Sequence, residues 1–143
     1  MKVMLMVKTT PQGDAGQQPP SEEALVAMHN FNEEMRKAGV LLDLGGLTPM
    51  NRGARLRFSK RQCKVMDGPF AESKELIAGY SLIEVKTFAE AIAWAKRAPF
   101  GVLLQEGQEV EVDLRPLFDP AEFDVPGEAE ERAQRLSERP AKA

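Results

Sequence analysis

Apolar and polar positions fall into short blocks along this chain, each with the period of one kind of element. Val3 to Val7 is unbroken apolar sequence between Lys2 and Lys8, the pattern of a strand covered on both faces. Residues 9 to 20 carry Pro11, Gly13, Gly16, Pro19 and Pro20 and read as a mobile loop. Ser21 followed by Glu22 and Glu23 marks a helix start, with an oxygen for a free N–H and acids matched to the dipole. Ala24, Met28, Phe31, Met35 and Ala38 then recur at helical spacing until Gly39. Val40 to Leu44 predicts a second strand, closed by Gly45, Gly46 and Pro49.

Ala54 to Phe58 alternates Arg55 and Arg57 with Leu56 and Phe58, a half-buried strand with the apolar pair turned inward. A short strand near Lys64 to Met66 pairs with it and leads into Asp67. Leu76 to Val85 predicts a longer strand. Thr87-Phe88-Ala89-Glu90 has the spacing of a capping box, starting a helix to about Arg97 with Phe88, Ala91, Ile92 and Ala95 as its buried stripe. Val110, Val112 and Leu114 alternate with charged residues in a last strand.

The element order is β-α-β-β-α-β with a small inserted hairpin, which predicts an α+β, ferredoxin-like fold: an antiparallel sheet with both helices on one face. The first strand is then central, and its second apolar face needs a cover. A second copy of the chain is the economical one, giving a homodimer, sheet against sheet, with clefts between subunits. The folded domain is expected over residues 1–125. Residues 126–143 form a charged tail in which Leu136 is the only large apolar residue; composition of that kind predicts a frayed segment.

The chain has 143 residues, 43% hydrophobic and 29% charged, the make-up of one soluble domain. Its net charge of −3 disfavours general affinity for nucleic acid or anionic membrane. Cys63 and His29 are the only residues of their types, which excludes an internal disulfide and a Cys/His zinc site. No metal or organic cofactor is expected. No secretory signal or apolar run of membrane-spanning length is visible, so a cytoplasmic protein is the expectation.

Chemistry concentrates in Asp67-Gly68-Pro69-Phe70 and the following Ala71-Glu72-Ser73-Lys74-Glu75. Asp67 can bond its own downstream amides and Pro69 fixes the next φ, so the turn holds Phe70 in one direction. The same residues also serve as plain turn chemistry with Phe70 as a core plug. This block, with Gly79-Tyr80-Ser81-Leu82-Ile83 after it, resembles the hallmark of the YCII-related family in its D-G-P-F branch. Phe31 to Met35 with Ala38 to Leu41, Ala89 to Trp94, and Glu111 to Leu117 resemble that branch's first helix, second helix and closing strand. The resemblance implies a dimeric ferredoxin-like α+β protein and a suspected enzymatic role. It also implies, for some members, an association with sigma-factor regulation. A histidine–aspartate pair proposed for the other branch is not reconstituted: its positions fall on Met28, beside His29, and near Ala98.

Asp67 is the leading candidate for proton transfer, with desolvation by Phe70 expected to raise its pKa. His29 is the second, because an imidazole is the side chain suited to acid or base work near neutral pH; an ordinary boundary histidine is the competing reading. Phe70, Lys74, Tyr80 and Arg115 are the candidate ligand-binding residues. Arg52, Arg55, Arg57, Lys60, Arg61 and Lys64 lie in a stretch from Asn51 to Met66 without an acid. That patch could attract an anionic substrate or a nucleic-acid phosphate, but no stacking aromatic is interleaved on its face, which favours a solvated hairpin protected from edge pairing. The function expected is binding of a small molecule in a dimer cleft beside the Asp67 loop, with acid–base activity if it is an enzyme. The alternative is a non-catalytic sensor or a regulatory interaction module.

Overall fold

A computed structural model describes residues 1–10, 13–14, 20–68, 76–122 and 134. Its strands are β1 (Lys2–Thr9), β2 (Leu41–Gly46), β3 (Ala54–Phe58), β4 (Cys63–Asp67), β5 (Leu76–Glu84) and β6 (Val112–Pro116). Its two longer helices are α1 (Glu22–Lys37) and α2 (Phe88–Lys96). β2, β5, β1 and β6 make one antiparallel sheet in that order, and β3 with β4 makes a separate two-stranded hairpin. The molecule is an α+β protein whose sheet order and helices are consistent with a ferredoxin-like fold.

Local chemistry explains the helix ends. The Ser21 hydroxyl accepts a hydrogen bond from the Ala24 N–H at 3.2 Å. Gly39 follows the last turn at φ 73°, a conformation that favours glycine after a helix. Thr87 caps α2 through the Glu90 N–H, while the Glu90 carboxylate accepts from the Lys86 N–H. The capping box therefore forms with its return bond one residue earlier than the motif's usual partner.

The core lies between the helices and one face of the sheet. Val3, Leu5 and Ile83 rise from the strands to meet Phe31 and Met35 of α1 and Ala91 of α2. Val3 stands opposite Ile83, and Leu5 opposite Leu114; cross-strand partners share a face, so these residues form one apolar patch. Trp94 packs its ring 6.3 Å from that of Phe31. Arg97 covers the indole and reaches Glu34 across the helix pair.

Several expectations need correction. Met28 is half-buried and Ala38 exposed, since Gly39 turns the chain away at the helix end. Phe88 and Ile92 are partly exposed, and Trp94 takes their expected place. Gly45 and Gly46 belong to β2 rather than closing it. Leu56 and Phe58 do not turn inward: they are 50% and 73% exposed, while Arg55 is half-buried. The reason is topological, because the hairpin forms its own two-stranded sheet and has no core beneath its apolar face. Within the stretch expected as a mobile loop, Thr9 belongs to β1 and Asp14 is buried, while residues 11–12 and 15–19 lie outside the described residues. The 126–143 tail, Gln134 apart, lies outside the described residues.

Candidate functional site

The sheet face opposite the helices carries a compact group of polar side chains. Its position follows from register. Leu41 pairs with Ile83 on the helix-facing side, yet Asp43 pairs with Leu82, the neighbour of Ile83. Leu42 is thus an extra residue, a bulge, and it sends Asp43 to the far face. There the Tyr80 hydroxyl donates to Asp43 Oδ2 at 3.1 Å, while Asp43 Oδ1 accepts from the Leu44 N–H at 2.9 Å. Gly45 stands directly opposite Tyr80. An alanine β-carbon there would lie 3.0 Å from Tyr80 Cε1, so the phenol ring occupies the space that a side chain at 45 would need.

Electrostatics fix the state of this pair. The hydrogen bond to Asp43, then the negative charge of that carboxylate, raise the Tyr80 pKa above the ordinary 10.0, and desolvation adds to the rise. Tyr80 is therefore a neutral phenol at physiological pH, a hydrogen-bonding group and not a base. Its oxygen and the Asp43 carboxylate both present acceptor lone pairs.

Across the same face, Met4 pairs with Leu82 and Arg115, and Met6 pairs with Tyr80 and Asp113. Met4, Met6 and Leu82 are half-buried, and Arg115 is exposed. Lys8 Nζ lies 3.4 Å from Asp113 Oδ2, with only 17% of the lysine side chain exposed. The face is thus an apolar strip between an acceptor pair on one flank and charged residues on the other.

Asp67 is the last residue of β4, opposite Ala54, and is exposed. Gly68 follows in close contact with the 3₁₀ turn Met50–Arg52. An alanine β-carbon at 68 would fall 1.8 Å from the Met50 carbonyl oxygen, so only glycine permits that approach. The Gly68 N–H donates to the Gly53 carbonyl at 3.1 Å. On the other side of the same turn, the Met50 N–H donates to Asp14 Oδ2 at 2.8 Å. Asp14, 5% exposed, thereby ties the segment after β1 to the base of the Asp67 loop.

The sequence model of the YCII-related domain matches residues 1–113. The chain belongs to the YCII-related family. It is also similar to an uncharacterized protein of Rhizobium meliloti (strain 1021), 38% identical over 78 residues that make up 52% of this chain and 63% of that relative. The chain thus spans a little under two thirds of the length of the curated relative it matches.

In this YCII-related protein the sequence-selected residues are dispersed. Tyr80 and Arg115 share the sheet face away from the helices. His29 is exposed on α1, in the layer on the opposite side of the sheet. Asp67 belongs to the separate hairpin. Phe70 and Lys74 lie outside the described residues, as does the rest of the block from Pro69 to Glu75. Among the described residues no group of three or more His, Cys, Asp or Glu could hold a metal ion, and no helix is long and apolar enough to cross a membrane.

Sequence reasoning missed Asp43 and Asp14. Asp43 had a visible signal, a single acid inside the apolar run Val40 to Leu44. A buried or half-buried run interrupted by one carboxylate asks for a partner. Asp14 had none, since its burial depends on a contact with Met50, thirty-six residues away in sequence.

Proposed function

We propose that this YCII-related protein binds a small molecule in a cleft formed when two copies pack their open sheet faces together, beside the Asp67 loop. The observation that carries the reading is the Tyr80–Asp43 hydrogen bond on a sheet face whose apolar residues are half-buried and lie on the side away from both described helices. An apolar strip with a few fixed polar groups is the usual make-up of a ligand cleft. The pair offers acceptors, and Arg115 offers a cation two strands away. Strand spacing and rise put those positions roughly 12 Å apart. The ligand best suited has a hydrogen-bond donor at one end and an anionic group at the other.

Acid–base activity in that cleft is assigned to Asp67, with the Tyr80–Asp43 pair accepting from the ligand's donor and orienting it. The non-catalytic sensor differs only in turnover, so one set of variants tests both. Tyr80→Phe, Asp43→Asn and Asp67→Asn, screened by thermal shift and turnover against zwitterionic and anionic metabolites, give the outcome. Loss of binding in the first two with turnover lost in the third supports an enzyme. Binding that needs Tyr80 without any turnover supports the sensor. Binding indifferent to both Tyr80 and Asp43, or a protein that sediments as a monomer, removes the reading.

A further inference from the structure

The β3–β4 hairpin has two unlike faces. Leu56 stands opposite Val65 and Phe58 opposite Cys63, so these residues share one side of the ribbon. That side is open: Leu56 is 50% exposed, Val65 62% and Phe58 73%, and Cys63 is exposed. The other side pairs Arg57 with Lys64, and Lys60 and Arg61 occupy the connecting turn. Lys60 and Arg61 at the turn border the apolar side as well, and together these cations give the ribbon a positive local field. Apolar residues this exposed and contiguous mark an interaction surface.

Charge selects the occupant. Two such hairpins meeting face to face would bring like-charged ribbons together, which disfavours self-pairing. The chain itself carries the complement. From Leu117 to Glu131 there are Asp119, Glu122, Asp124, Glu128, Glu130 and Glu131, and no lysine or arginine. Leu117 is 41% exposed and Phe118 72%, so this acidic stretch begins with apolar side chains at the surface.

Geometry selects the copy. The Leu117 N–H donates to the Lys2 carbonyl at 2.9 Å, which fixes the stretch at the Lys2 end of β1. The hairpin departs from β2 at Gly46 and returns to β5 at Leu76, and Leu76 pairs with Thr9 at the other end of β1. Those ends are roughly 23 Å apart at the usual strand rise. Leu117 and Phe118 are therefore anchored at the end of the sheet away from the base of their own hairpin.

We propose that the apolar face of the β3–β4 hairpin, bearing Leu56, Phe58 and Val65, docks the acidic stretch beginning at Leu117 of a second copy. The contact is distinct from the sheet-against-sheet packing above and stands without it. Apolar side chains supply the contact, and Lys60 and Arg61 steer and align the acids.

Cys63, the only cysteine, is a built-in reporter on the docking face. In an Ala121→Cys variant of the full chain, mild oxidation should yield covalent dimers joined 63 to 121, identified by peptide mass mapping. Dimers joined only 63 to 63, a 63–121 link within one chain, or no disulfide would each overturn the proposal. In the otherwise unmodified chain, D119K/E122K, which leaves the charges beside Cys63 unaltered, should speed alkylation of Cys63 by about fivefold, the loss of a few exposed charge pairs. An unchanged alkylation rate overturns the proposal. So does a hairpin that instead carries the protein to phosphatidylserine vesicles in a Phe58→Ser-sensitive manner without the 63–121 link.

Discussion

Gly68→Ala is the sharpest test of how the Asp67 loop is held. The new β-carbon would meet the Met50 carbonyl oxygen at 1.8 Å and the Met50 carbonyl carbon at 2.7 Å. Both contacts are with backbone, so no side-chain rotation relieves them. Restoring even a tight 3.0 Å contact requires the two segments to separate by more than an ångström. The Gly68 N–H to Gly53 bond, now 3.1 Å, does not survive that shift. Its loss costs about 1 kcal/mol, and overpacking adds about 1–3 kcal/mol. Reduced freedom of the unfolded chain returns about 0.5 kcal/mol. The net expectation is a loss of about 1.5–3.5 kcal/mol, or roughly 5–14 °C in Tm for a domain of this size. Gly46→Ala is the control, since nothing lies within 4 Å of its β-carbon position; it should change stability by less than about 0.5 kcal/mol or raise it slightly. Urea unfolding of both variants decides the matter. A Gly68→Ala midpoint equal to that of Gly46→Ala would refute the close approach.

Tyr80 is the only tyrosine, so phenolate absorbance during alkaline titration reports it alone. Its midpoint should lie above 10.0 and fall toward that value in Asp43→Asn. Because the folded pKa is raised, the stabilisation from this pair is whole below pH 10 and is lost as pH climbs through the folded value. Tyr80→Phe should therefore flatten the alkaline fall in stability. Gly45→Ala should displace the phenol ring, now 3.0 Å from that β-carbon position, and lower the Tyr80 midpoint; an unmoved midpoint counts against that close approach. Asp14→Ala strands the Met50 N–H and should cost about 1–3 kcal/mol by urea unfolding. Met35→Ala removes a side chain only 1% exposed and should cost about 2–5 kcal/mol.

Elements set by local chemistry were legible from the residues alone. The Ser21 and Thr87 caps, the stop at Gly39 and the strand of Leu76 to Val85 each depend on neighbours a few positions away. The alternation in β3 was also legible, but its meaning was not. Period-two patterning says that Leu56 and Phe58 share a side; it cannot say whether a core lies beneath them. The same limit applied to Phe88, Ile92 and Trp94, because the helix's rotation about its axis decides which apolar residues touch the sheet. The candidate site was harder still. Tyr80 could be named from its strand, whereas Asp43 reaches it only through a bulge, and one inserted residue in a strand reverses every side chain beyond it.

That bulge links the fold to the proposed chemistry. In an unbulged β2, Asp43 would share the helix-facing side with Leu41, and its carboxylate would be driven toward the core of Val3, Ile83 and Met35, where an unpaired charge is costly. With Leu42 inserted, the acid lies instead beside Tyr80, and Gly45 reaches the position opposite the ring. The glycine would be a weak choice in a strand on propensity alone. It is the right one here, because a side chain would press on the phenol and pull its hydroxyl from Asp43. Three local departures from ideal strand sequence (an extra leucine, an acid in an apolar run, a glycine under an aromatic ring) thus converge on one hydrogen bond. A sheet needed only for packing would require none of them, which is the strongest structural reason to look for a ligand on this face.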